Sequence, residues 1–381
     1  MTSIAEVRLH RRSVPLVRPF VTAVRTATEI DVLLVEAVDS DGRSGWGEAP
    51  TSWRVTGESP AGVTAAVEGP LREAVLGLPT EDPAETSLAL ERAVVRNSAA
   101  RMAVDCALYD LAAQAAGIPL HSLLAPGTLD FVGTSGASAS QVRTDMTLSA
   151  IAESADIRQL VATAVEHAEA GFRTIKVKVG KADAESGVDI AALRAVRDAV
   201  GPAITLRADA NQGWSPEQAV EVIRAWEHAG VDLELVEQPV NRDDLDGLAF
   251  VTARVDTPVL ADESVWTVRD AREVIARQAA DMVNIKLAKT GGIREAMALL
   301  RTASDAGVAA IVGCMMESHV GIAAAAAVAA AVDAASGVPT AHDLDAGLWL
   351  SASLVAGGVS YDGQIVTMPD RPGLGILGLK G

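Results

Sequence analysis

Cysteine is nearly absent from this chain: Cys106 and Cys314 are the two among 381 residues. Two thiols cannot make a disulfide framework, and such usage fits a reducing compartment, so a cytoplasmic protein is expected. Positive charge is also short. Lys and Arg number 32 against 50 Asp and Glu, a formal net charge of −18. That surplus is spread along the chain and argues against nucleic acid or an anionic membrane surface as partner. Long apolar runs are missing too. The most apolar stretch, 321–335, is alanine-dominated and turns polar from Asp333. It reads as too short and too weakly hydrophobic to span a bilayer, and as a buried helix instead. The opening Met1-Thr2-Ser3-Ile4-Ala5-Glu6 lacks a basic region followed by an apolar run, so no signal peptide is expected. One apparent motif is a decoy. Gly373-Leu374-Gly375-Ile376-Leu377-Gly378 matches a dinucleotide-binding fingerprint by its letters, but no helix is expected after it.

What remains is room for two domains. Residues 4–48 read as strands: Val32-Leu33-Leu34-Val35-Glu36-Ala37-Val38 is a strong β run, Ser40-Asp41-Gly42-Arg43 a turn, and 44–49 the returning strand. Residues 17–30, polar and rich in Thr and Ala, read as a loop, as do 50–59. Helical patterns follow over 60–76, 83–95 and 98–116. The last has apolar spacing at Met102, Cys106, Tyr109 and Leu111 and stops at Gly117-Ile118-Pro119. Together these make an N-terminal α+β domain over 1–125. A connector rich in Gly, Ser, Ala and Thr spans 125–144. From Asp145 the rhythm changes to strand then helix. Strands are expected near 145–149, 173–179, 204–208, 233–236, 258–261, 281–285, 308–313 and 339–342. Their spacing of roughly 24 to 31 residues fits a (β/α) barrel over 143–350 better than an open sheet with a dinucleotide site. The hairpin-like stretch 358–366 is expected to return to the N-terminal domain, so that 351–381 completes it.

Five consecutive barrel strands end in Lys, Asp, Glu, Asp and Lys. Residues 204–208 deliver Asp209, with Asn211 in the loop beyond. Residues 233–236 end at Glu237-Gln238-Pro239, and 258–261 end at Asp262-Glu263-Ser264. Upstream, Lys176 and Lys178 share one face of a strand, because side chains alternate along it. Downstream, residues 281–285 end at Lys286. In a parallel barrel all five groups converge on the C-terminal mouth, where barrel chemistry sits.

One acid at a strand end reads as readily as a helix cap or a solvated loop residue. Three on successive strands, flanked by lysines, read as a site. Carboxylates without Cys or His among them are hard oxygen ligands, suited to Mg²⁺ or Mn²⁺ and not to zinc. A divalent ion between two lysine-bearing strands suggests abstraction of the weakly acidic proton beside a carboxylate, with the enediolate stabilised by the metal. A lysine acts as base only when neutral, and nearby positive charge favours that form. Lys178 and Lys286 lie on opposite sides of the three ligand strands. One can take a proton from one face of a planar intermediate while the other returns one to the opposite face, a racemase or epimerase arrangement. Lys176 supports Lys178 by repulsion. Asn211 and Glu263 orient lysines or substrate, or simply cap.

With Lys176-Val177-Lys178, Asp209-Ala210-Asn211, Glu237-Gln238-Pro239, Asp262-Glu263-Ser264, Ile285-Lys286 and Gly291-Gly292-Ile293 in hand, the chain resembles the enolase superfamily in its muconate-lactonizing subgroup. Gly45-Trp46-Gly47-Glu48 and Pro372-Gly373-Leu374-Gly375 extend the resemblance over nearly the whole chain. It implies a modified TIM (β/α)7β barrel with an N-terminal α+β capping domain that selects the substrate. It also implies a Lys base beside Mg²⁺, the established arrangement of enolase-superfamily sites. Within the subgroup the chain is most similar to dipeptide epimerases of the L-Ala-D/L-Glu type. The deciding feature is Asp343-Leu344-Asp345, which those enzymes use to hold the substrate's α-ammonium; two carboxylates one residue apart make a good ammonium clamp. By the same resemblance Lys178 serves the L substrate and Lys286 the D epimer, and Arg25 receives a glutamate side chain. Met315 and Met316, at the seventh strand end, line the pocket and suit an apolar one. Trp53 and Arg54 in the second lid segment alter that pocket. A small dipeptide is therefore the expected partner, and the protein is expected to be a homo-oligomer. Muconate cycloisomerase, o-succinylbenzoate synthase and N-acylamino acid racemase are the alternatives; their substrates lack the free ammonium.

Overall fold

The structure, a computed structural model, describes residues 2–21, 26–53, 55–125, 139–149, 156–180 and 186–380. Three antiparallel strands open it: β1 (Ile4–Val21), β2 (Thr26–Asp39) and β3 (Ser44–Pro50), in the order β1-β2-β3. The loop expected over 17–30 is mostly strand, for β1 and β2 stay paired as far as Val21 opposite Thr26. Sheet pairing outweighs the polar composition there, and the irregularity between Pro15 and Phe20 absorbs the two prolines. Residues 22–25, including Arg25, lie outside the described residues, as does Arg54.

The Ser98–Ala116 helix forms where its pattern predicts and lies across β2 and β3. It approaches so closely that a Cβ on Gly47 would fall 2.0 Å from the Ala103 carbonyl oxygen, so only glycine fits. The helix expected over 60–76 is broken at Gly69-Pro70, where Gly69 leaves helical geometry.

The barrel strands follow: β4 (Gln141–Thr144), β5 (Met146–Leu148), β6 (Thr174–Lys178), β7 (Thr205–Asp209), β8 (Leu233–Glu237), β9 (Val259–Ala261), β10 (Met282–Lys286), β11 (Ala309–Gly313) and β12 (Ala341–His342). β5 to β11 form a seven-stranded parallel sheet in sequence order. The ring closes through β12. Gly313 bridges Asp343 in parallel, β12 pairs with β4, and the Asp145 N–H donates to the His342 carbonyl at 2.8 Å. The first strand thus starts earlier than expected and breaks at Asp145.

Alternation sorts the side chains. Ile175, Val177, Leu206, Ala208, Val236, Val283 and Ile285 point outward into the main core beneath the helices. Leu235, Leu260 and Ile311, with Met282 against them, fill the barrel interior. One step nearer the mouth, on the same faces, stand Glu237, Asp262 and Asn284. The mouth is therefore a charged layer on an apolar plug.

The His319–Ser336 helix is long and apolar enough by length and composition to cross a membrane. Its residues 320–332 are buried, and it packs against β11 and β3 as a wall of the fold. After β13 (Val355–Gly357), the hairpin of β14 (Ser360–Asp362) and β15 (Ile365–Thr367) does not return to the N-terminal sheet. It pairs with β4, whose free edge accepts β15. The Gly373-Leu374-Gly375 run leads into β16 (Ile376–Leu379), a strand and not a helix, as expected of a decoy.

Candidate active site

The strand ends build an interlocked layer of ions. Lys178 donates to Asp209 Oδ2, and the Asn211 N–H to Asp209 Oδ1 at 2.9 Å. Lys176 Nζ lies 3.2 Å from Glu237 Oε2, while Asn284 Nδ2 donates to Oε1 at 2.8 Å. Lys286 Nζ donates to Asp262 Oδ2 at 2.7 Å, and Lys289 Nζ to Oδ1 at 2.6 Å. Gly313 makes the room: a Cβ there would sit 2.7 Å from Lys286 Cε.

Burial works against charge throughout this layer, and the ion pairs override it for most members. Lys178 is raised despite burial because Asp209 faces it, and Lys286 is raised well above its ordinary value by Asp262 and Glu237. Burial would raise Glu237, but Lys176 and Lys286 hold it at about 2. Burial and then Glu237 push Asp209 to about 6, still a carboxylate at neutral pH. Burial and then the neighbouring Asp262 push Glu263 up to about 8, and it accepts from Asn211 Nδ2 at 3.3 Å.

A second acidic trio lies beside the first. Asp145, Asp343 and Asp345, all buried, have carboxylate oxygens within 4.8 Å of one another. Lys176 Nζ is 2.5 Å from Asp343 Oδ2, and Arg207 Nη1 is 3.0 Å from Asp145 Oδ2. Asp345 Oδ2 accepts from the Thr147 N–H at 2.8 Å and from Trp349 Nε1 at 3.1 Å. Lys176 overrides burial to hold Asp343 low, whereas burial and Asp343 itself raise both Asp145 and Asp345.

One cavity collects most of the expected residues. Lys178, Lys286, Asn211, Asp262, Glu263, Met315, Met316, Asp343 and Asp345 line it, with Cys314 and Trp349 beside them. Glu29, Ile30, Asp31 and residues 50–52 and 55 close it from the N-terminal side. Lys176, Asp209 and Glu237 do not line it; they are buried within the layer itself. Sequence reasoning missed Asn284 and Lys289, which hold Glu237 and Asp262, and Asp145 with Arg207. Asn284 had a signal, since it shares the inward face of Lys286. Asp145 and Arg207 pair across 62 positions, and nothing local marks them.

Three carboxylates on neighbouring parallel strand ends, between lysine-bearing strands and under an α+β cap, define an enolase-type barrel enzyme. The chain belongs to the mandelate racemase/muconate lactonizing enzyme family of that superfamily. Residues 4–125 match the mandelate racemase / muconate lactonizing enzyme N-terminal domain, and 159–377 the enolase C-terminal domain-like family. It is 40% identical to the L-Ala-D/L-Glu epimerase of Bacillus subtilis over 99% of this chain and 98% of the relative. It is 38% identical to the hydrophobic dipeptide epimerase of Enterococcus faecalis over 98% and 99%. The substrate-liganded structure of the Bacillus subtilis enzyme superposes with a TM-score of 0.92 at 39% identity, covering 100% of both chains.

Proposed function

We propose that the protein epimerises the C-terminal residue of a dipeptide, L-Ala-L-Glu foremost, by moving a proton between Lys178 and Lys286. The observation that carries this is one cavity lined by both lysines and by the Asp343–Asp345 pair. Substrate selection is assigned to residues 1–125, and chemistry to 143–350.

Asp209, Glu237 and Asp262 fit a divalent cation. All six of their oxygens accept one protein donor, and each keeps a second lone pair. Their hard oxygen chemistry suits Mg²⁺, with Mn²⁺ the alternative. When bound, the ion supplies the positive charge that makes the proton beside the substrate carboxylate removable. The Asp145, Asp343 and Asp345 trio suits a monocation better. Lys176 already neutralises Asp343, and burial turns Asp145 and Asp345 toward neutrality. Asp343 and Asp345 reach the cavity and take the α-ammonium through charge-assisted hydrogen bonds. That contact fixes the Cα–H between the two lysines. Lys178 removes or returns the proton on the L side and Lys286 on the D side. Lys176 repels Lys178, and Asn211 and Glu263 keep the loops beyond Asp209 and Asp262 in place.

The side chain is the finer part of the proposal. Arg25 is assigned to a glutamate carboxylate, which a guanidinium pairs with well. That two relatives, at 40% and 36% identity, are L-Ala-D/L-Glu epimerases supports it. A hydrophobic side chain is the second reading. Cys314, Met315 and Met316 favour it, since they line the cavity with no arginine among its described residues.

The test is a dipeptide library incubated with enzyme and Mg²⁺ in D₂O and read by mass spectrometry. Deuterium is expected in the C-terminal residue, foremost in Ala-Glu, and N-acetylation is expected to suppress it. Preference for the acetylated compounds would move the assignment to N-acylamino acid racemase. Arg25→Ala should raise KM for Ala-Glu much more than for Ala-Leu; equal losses would remove Arg25 as the selector.

A further inference from the structure

Glu48 is a fully buried carboxylate on β3 that does not line the cavity. It points out of the N-terminal sheet into the start of the His319–Ser336 helix. Ser318 Oγ donates to its Oε2 at 2.5 Å, the Ser318 N–H to Oε1 at 2.8 Å, and the Gly321 N–H to Oε2 at 3.0 Å. A carboxylate from the capping domain thus satisfies helix N-terminal donors of the barrel, where such a charge is favoured. The surroundings are apolar: Val32, Leu34 and Trp46 from the sheet pack with Val320 from the helix, and Met316 packs against them.

The position of this clasp gives it a consequence. Pro50, Thr51 and Ser52, just after Glu48 in sequence, form the cap-side wall of the cavity. Cys314, Met315 and Met316, just before Ser318, form the facing wall. Glu317 continues the clasp. It is buried, accepts the Met315 N–H at 2.8 Å through Oε1, and a Cβ on Gly321 would fall 2.3 Å from its Oε2. Few short links therefore separate the Glu48 carboxylate from both walls that meet a substrate side chain.

We infer that Glu48 is a positioning residue for substrate selectivity: it sets the distance between the lid segment 50–52 and the Cys314–Met316 wall by clamping Ser318 and Gly321. This rests on the dipeptide reading only for the identity of the substrate. Glu48 touches no reacting atom, so its loss should move KM and selectivity and leave turnover at saturation nearly intact.

The experiment uses Glu48→Ala, Glu48→Gln and Ser318→Ala, each checked for native thermal unfolding. Substrates are a panel of dipeptides and N-acylamino acids, with the comparison made on whichever the wild type turns over. Glu48→Ala should raise KM by about tenfold and bring the preference between side chains toward unity, with kcat within about threefold. Glu48→Gln, which keeps an acceptor oxygen, should recover part of the selectivity. Ser318→Ala should shift it in the same direction and serves in place of Glu48→Ala should that variant not fold. Hydrogen exchange gives a readout independent of activity: in Glu48→Ala the amides of 315–321 should lose protection while those of 205–209 keep theirs. A kcat loss with unchanged KM and selectivity, or unchanged protection at 315–321, would overturn the inference. A wild type acting only on N-acylamino acids would instead sink the dipeptide reading and leave the Glu48 comparison intact.

Discussion

Two acidic trios stand side by side at the barrel mouth, and they are built differently. Asp209, Glu237 and Asp262 are spread over three strands, and four lysines interleave with them. Asp145, Asp343 and Asp345 crowd together, with Lys176 and Arg207 as their cations. Spreading lets each carboxylate keep its own partner and its charge. Burial, and then the like charge of Asp343 at close range, moves Asp145 and Asp345 toward the neutral form. On the proposed reading the first trio takes a divalent charge in exchange with ammonium groups, and the second a single ammonium. Buried acids of one type are thus set apart by the number and placement of their cations.

The largest expected effect comes from the spread trio. Asp262→Asn should lower epimerisation on the order of a thousandfold, and chelation of the wild type should do so reversibly with Mg²⁺. Full activity of the variant after exhaustive chelation would contradict the division of roles.

The crowded trio should give a smaller loss of another kind. Asp343→Asn and Asp345→Asn each remove one charge-assisted contact, worth about 2 kcal/mol. That corresponds to roughly thirtyfold in kcat/KM for a dipeptide. The losses should shrink for N-acetylated substrates, which carry no ammonium. Equal losses on both substrate types would mean that the pair holds structure and not the amine.

How much of this was readable beforehand follows from where the partners lie. The strand ends were legible because alternation and strand–helix spacing are local patterns, and Asp209, Glu237, Asp262 and Lys286 stand at the ends of their strands. The Ser98–Ala116 helix was legible to the residue, having Gly117 in the left-handed conformation at its end. The pairing of Asp145 with Arg207, or of Glu48 with Ser318 across 270 positions, has no local signal. Residues 17–30 misled for a related reason: their strand character comes from the facing strand and not from their own polar composition. The 360–367 hairpin likewise found its partner in β4, more than two hundred positions away in the chain.

The smallest expected effect concerns stability. Burial and then Glu48 push Glu317 up to about 8, from an ordinary 4.5. The folded state therefore holds a proton that the unfolded state releases, and this group's contribution falls as pH rises from about 4.5 to 8. Glu317→Gln should flatten that part of the wild-type Tm–pH curve. An unchanged slope would mean that Glu317 is ionised in the fold.

Lys178 and Lys286 are proposed to work on opposite faces of one substrate carbon. The direct measurement is Lys286→Ala with a good L,L-dipeptide in D₂O, following deuterium uptake and configuration together. Deuterium should enter with retention, through Lys178 alone, while epimerisation stops. Inversion at the wild-type rate in that variant would contradict it.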